Sequence, residues 1–79
     1  MTDDQKVQLA SIFISTFKFP DDVILDSIVY GEIKGWDSLN HLTLVAEIEE
    51  EFGIMLDTDD VLDMSSFHKA VEIVGKYDV

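Results

Sequence analysis

The chain has no cysteine, no arginine, one proline and four glycines in 79 residues. Without cysteine, disulfides and thiolate metal sites are excluded. No apolar run approaches the ~20 residues of a membrane span. The polar start Thr2-Asp3-Asp4-Gln5 does not read as a signal peptide. A soluble cytoplasmic protein with no membrane span is the expectation. Positive charge is scarce as well. Five lysines face 17 acidic residues, for a formal net charge of −12. Nucleic-acid binding draws its affinity mainly from Lys and Arg against phosphates, so that class is excluded. Anionic membrane surfaces are disfavoured for the same reason. Gly-rich phosphate loops, internal repeats, low-complexity segments and strand pairs are also missing.

What remains is a foldable, one-signed chain. Hydrophobic residues make up 47%, too many for a disordered acidic tail. The length predicts one domain, residues 1–79. A domain this small buries only roughly 60% of the surface its unfolded chain exposes, which leaves little room for a deep active site. The negative charge is uneven. No lysine lies between Lys34 and Lys69, whereas Asp37, Glu47, Glu49, Glu50, Glu51, Asp57, Asp59, Asp60 and Asp63 all fall there. Such a field can steer a basic partner. Solubility alone is the plainer reading.

Asp3 and Asp4 lead into a predicted helix from Gln5 to Lys18, with acids first and a lysine last, as the macrodipole favours. Val7, Ala10, Phe13, Ile14 and Phe17 give it an apolar face, widened by Leu9 and Ile12. Phe19-Pro20-Asp21-Asp22 stops it. Val23 to Trp36 has no sustained period. A helical turn near Asp21–Leu25 and a hairpin around Tyr30-Gly31-Glu32 are both open. Val23, Leu25, Ile28, Val29 and Ile33 are the expected anchors of this long loop, and Gly31 and Gly35 its bends.

A second helix is predicted from about Leu39 to Phe52. At 100° per residue, His41, Leu42, Leu44, Val45, Ile48 and Phe52 face the core. Leu39, Thr43, Ala46, Glu47 and Glu50 face outward. Gly53 reads as a left-handed helix stop. Asp57 or Thr58 can cap a short third helix ending near Asp63. Ser65 or Ser66 can cap the last, Phe67 to about Tyr77, with Phe67, Ala70, Val71 and Val74 inward. The fold expected is all-α: a four-helix bundle with three main helices, a short third helix and a long loop between helices 1 and 2.

Ser38 stands where that loop turns into the second helix. Free N–H groups and the positive dipole end favour an attached anion there. A plain helix cap, shared with Asp37, is the simpler reading. A catalytic serine needs a base and an oxyanion hole. His41 could approach Ser38 across one turn, but it falls on the core stripe with no third group to orient it. His68 has no obvious partner. Asp57-Thr58-Asp59-Asp60 fails as a calcium loop, because Val61, Leu62 and His68 stand where a ligand, glycine and glutamate are needed. No metal site is expected.

Gly35-Trp36-Asp37-Ser38-Leu39, followed by Leu42, Leu44, Val45, Ile48, Glu49, Glu50, Glu51 and Phe52, resembles the acyl carrier protein family. The likeness covers nearly the whole chain. It implies that Ser38 carries 4′-phosphopantetheine, transferred from coenzyme A by a phosphopantetheinyl transferase, with Asp37 and Leu39 beside it. Ser38 is then modified, not catalytic, and the protein is a non-enzymatic carrier of thioester-bound acyl groups. The resemblance also implies loading, acyl-transfer or condensing enzymes with basic patches as partners. They would meet Leu39, Thr43, Ala46, Glu47 and Glu50, with Glu49, Asp59 and Asp60 alongside. An acyl chain would lie between the second and third helices, against Leu44, Ile48, Leu56, Val61 and Leu62. A monomer is expected.

Three residues depart from the fatty acid carriers. Asn40 replaces an acid, Ala46 a larger apolar residue, and Trp36 is more typical of specialised carriers. Fatty acid, polyketide and other specialised pathways all stay open. Aminoacyl, D-alanyl and peptidyl carriers share the serine and form the alternative. An unmodified acidic interaction module is the alternative of a different class, and a self-contained hydrolase a distant one.

Overall fold

Each helix begins at a residue suited to begin it. The computed structural model describes residues 1–77. Helix α1 spans Asp3–Phe17 and is opened by a capping box. The Gln5 N–H donates to Thr2 Oγ1 at 3.2 Å and the Thr2 N–H to Gln5 Oε1 at 2.8 Å, so two otherwise orphaned donors are satisfied reciprocally. The helix therefore starts two residues earlier than the sequence pattern placed it. Lys18 is not its last turn but its cap, in left-handed geometry at φ 59°.

Helix α2 spans Ser38–Phe52 and ends at Gly53, at φ 65°. That confirms the expected left-handed stop. Helix α3 is short, Thr58–Asp63. Helix α4 spans Phe67–Gly75, and Ser66 caps it by accepting the Lys69 N–H at 2.9 Å. The architecture is the expected all-α one, four helices with a long loop before α2. Within the loop the helical turn falls at Leu25–Ser27 rather than Asp21–Leu25.

The loop makes no hairpin at Tyr30-Gly31-Glu32. Its backbone pairs instead with the segment before α4. Tyr30 N–H donates to Ser65 O at 2.8 Å and Phe67 N–H to Ile28 O at 3.0 Å, around a single antiparallel bridge, Val29–Ser66. Buried backbone groups need partners, and this bridge supplies them where the loop crosses the core.

The core is aromatic at its centre. Phe13 meets Phe67 edge-on at 5.4 Å and Trp36 at 5.9 Å. Leu9, Ile28, Leu44, Val45, Ile48, Met64, Ala70, Ile73 and Val74 complete the buried set. Fully burying one such large side chain stabilises by about 1.5–3 kcal/mol. Two residues of the expected core faces are largely exposed. Val7 is 64% exposed and Leu42 61%. Helical periodicity orders residues around an axis but does not say how wide an arc the neighbours cover. On α4 it is Ile73 that is buried, with Val71 only half-buried. Helix α3 contributes no buried residue.

Candidate functional site

The start of α2 is built from its own cap outward. Asp37 has extended backbone, and its Oδ1 accepts the Asn40 N–H at 2.8 Å. Asn40 Nδ2 donates back to Gly35 O at 2.6 Å, which pins the incoming loop. Gly35 holds φ 94° there, open only to glycine without strain. Capping thus falls to Asp37 alone. Ser38 is the first helical residue, exposed, and among the described residues its hydroxyl has no hydrogen-bond partner. The N–H groups of Ser38 and Leu39 have no intrahelical acceptor.

His41 is committed elsewhere. Trp36 Nε1–H donates to its Nδ1 at 2.9 Å, and its Nε2 lies 2.7 Å from Val61 O. Indole nitrogen can only donate, so Nδ1 must accept and the ring proton sits on Nε2. That proton goes to the Val61 carbonyl, one of the C-terminal carbonyls that α3 cannot satisfy internally. The two rings stack at 6.0 Å. With both nitrogens engaged, His41 is no base for Ser38. His68, expected to lack a partner, stands 2.6 Å from Asp26 in an exposed pair.

A cavity of about 380 Å³ opens beside Ser38. Tyr30, His41, Leu42, Val61, Leu62 and Met64 line it, with Ser38 and Ser65 also on its wall. Of the residues expected along an acyl chain, Val61 and Leu62 lie on this wall. Leu44, Ile48 and Leu56 are not on this wall. Leu44 and Ile48 are completely buried in the core, so that part of the expectation is corrected. Leu42, Tyr30, Met64 and Ser65 were missed. Leu42 had a usable signal, because it lies four residues beyond Ser38 on the same helical face. Tyr30, Met64 and Ser65 had none, since tertiary packing brings them in.

The expected docking face divides. Leu39, Thr43, Ala46, Glu47, Glu50 and Asp59 are all exposed. Two carboxylates face other tasks. Glu49 Oε2 accepts the Leu56 N–H at 2.8 Å. Asp60 accepts from Lys76 Nζ at 2.8 Å and from the Tyr77 hydroxyl. Hydrogen bonds from Lys76 first and Tyr77 second hold the Asp60 carboxyl below its ordinary value. The same bond to Asp60 raises Lys76. Tyr77 accepts the Asp57 N–H at 2.9 Å, which favours phenolate. Its bond to Asp60 and its burial outweigh that and raise it.

Among the described residues, no group of three or more His, Cys, Asp or Glu is placed to hold a metal ion, and no helix is long and apolar enough to cross a membrane. What Ser38 offers is an unhindered oxygen at a helix N-terminus, where a phosphodiester anion is favoured. Those residues fit a covalently attached phosphate-linked arm. Residues 8–74 match the family model described as a phosphopantetheine attachment site, and the chain belongs to that family of carriers of covalently attached 4′-phosphopantetheine.

Proposed function

We propose that Ser38 is the attachment residue and that the cargo is an acyl group, held as a thioester and presented to enzymes of a fatty acid, polyketide or related specialised pathway. Residues 1–79 act as one carrier domain. One observation supports the serine: Asp37 caps α2 and leaves the exposed Ser38 hydroxyl unspent. The cavity beside it supports the acyl reading, because no charged side chain lines it. An ammonium-bearing aminoacyl group would lose hydration there and gain no counter-ion. Carrier domains of this family are generally non-catalytic and interact with a phosphopantetheinyl transferase and biosynthetic enzymes.

Leu39, Thr43, Ala46, Glu47, Glu50 and Asp59 form the docking face for basic partner patches. Contacts made by such exposed charges weaken with salt. Asn40 departs from the acid of fatty acid carriers for a local reason, since its amide holds the Gly35 carbonyl. The direct test is loading of the pantetheinylated chain by adenylating enzymes supplied with fatty acids or amino acids. Selective fatty acyl transfer is expected. Preferential aminoacylation would favour the aminoacyl or peptidyl carrier. Partner-dependent activity surviving Ser38→Ala would favour the unmodified interaction module.

A further inference from the structure

His41 lines the cavity beside Ser38. Along that face of α2 the next inward residues, Leu44 and Ile48, are completely buried and lie outside the cavity wall. Between them and the mouth runs a polar bar. Its links are the Trp36 indole N–H, the His41 ring and the Val61 carbonyl, at 2.9 and 2.7 Å. The bar joins the loop, α2 and α3. Trp36, which does not line the cavity, is 4% exposed, so the Trp36 side of His41 is packed. A chain passing the His41 ring toward Leu44 and Ile48 would break both hydrogen bonds. That would leave a buried indole donor and a helix-end carbonyl unpaired.

We infer that His41 sets the cargo length: it closes the inner end of the cavity, and a thioester-bound acyl chain is sheltered only up to that barrier. The inference rests on the reading of Ser38 as attachment point and of the cargo as acyl. At ~30 Å³ per small non-hydrogen group, the 380 Å³ cavity admits about a dozen such groups. The thioester and the end of the arm take part of that space. A saturated chain near octanoyl therefore fills the cavity, and longer chains leave their ends in water or at a partner's surface.

The test loads Ser38 with saturated acyl groups from acetyl to dodecanoyl, using acyl-coenzyme A and a broad-specificity transferase. Intact mass first establishes loading. Thioester cleavage by hydroxylamine is then followed, together with the indole N–H resonance of the single tryptophan, Trp36. Each methylene sheltered from water should multiply protection by roughly fourfold. Protection is expected to climb to about octanoyl and then stay level, with the Trp36 resonance unmoved throughout. His41→Ala should extend the climb by two or more carbons. His41→Gln, which again offers an acceptor and a donor, should restore the limit. Should His41→Ala fail to fold, the native series and His41→Gln decide alone.

A climb continuing through dodecanoyl in the native chain, or a Trp36 resonance that moves with chain length, would overturn the barrier. Absence of protection at every length overturns the cavity as the shelter while leaving Ser38 as the attachment residue. Absence of loading overturns the Ser38 reading, and this inference with it.

Discussion

The aromatic centre and helix α3 are held in place by different forces. The centre, with Phe13, Trp36 and Phe67 at 4% exposure or less, is secured by buried area and ring packing. Helix α3 buries nothing completely and is held by polar ties. His41 takes its Val61 carbonyl, Lys76 and Tyr77 take Asp60, and the Tyr77 oxygen takes the Asp57 N–H. Net, a hydrogen bond of this kind contributes less than one large core side chain. The wall of the cavity that carries Val61 and Leu62 is thus the most loosely held element beside Ser38. The difference teaches that the scaffold rests mainly on buried area and the α3 wall mainly on polar ties.

Breaking the aromatic side should have the largest effect. Phe13→Ala removes a completely buried ring and should cost about 3–5 kcal/mol. Urea denaturation checks it, and a loss below about 1 kcal/mol would mean the site repacks or the ring is not central. Next comes the junction of the two regions. Trp36→Phe keeps an aromatic ring but deprives His41 Nδ1 of its donor. About 1–3 kcal/mol should be lost, and amide exchange in α3 should quicken with it.

Tyr77→Phe sharpens the comparison further. It removes the acceptor for the Asp57 N–H and a donor to Asp60. Global stability should fall by less than in Trp36→Phe, but exchange over Thr58–Asp63 should rise more than over Asp3–Phe17. Equal rises in both helices would contradict the division. Acid should act on the same tie. The Asp60 carboxyl is lowered from 3.8 in the folded chain, by Lys76 first and then Tyr77. A lowered carboxyl contributes stability above its ordinary value and loses it as pH falls through the lowered one. Exchange in α3 should therefore quicken below the ordinary carboxylate value, before the aromatic centre loosens.

The smallest structural effect belongs to the exposed carboxylates. Glu47→Lys with Glu50→Lys should change stability by within about 0.5 kcal/mol. Reaction with a basic partner enzyme should slow at low salt, and the difference should shrink as salt rises. An equal rate at low salt would remove these residues from the docking face.

Local signals carried the helices and singled out Ser38. Gly53 stops α2 because left-handed geometry suits it, and that is legible in one residue. Ser38 was legible from Gly35-Trp36-Asp37-Ser38-Leu39 and the helix that follows. The division of labour between Asp37 and Ser38 was not, because either residue type can cap. Trp36 gave no periodic signal, being in an irregular loop, yet it is a hub of the aromatic packing. Its bond to His41 spans five residues across the helix start, outside any helical spacing rule. The inner wall expected from Leu44 and Ile48 failed for the same reason. An inward-facing stripe does not reveal where a hydrogen-bonded ring will interrupt it.

The most direct measurement is the intact mass of the chain before and after incubation with coenzyme A and a broad-specificity phosphopantetheinyl transferase. One phosphopantetheine should be gained, at Ser38, and Ser38→Ala should gain none. A native chain that gains nothing under conditions that modify other carriers, or a Ser38→Ala chain that still gains the group, would contradict the assignment of Ser38.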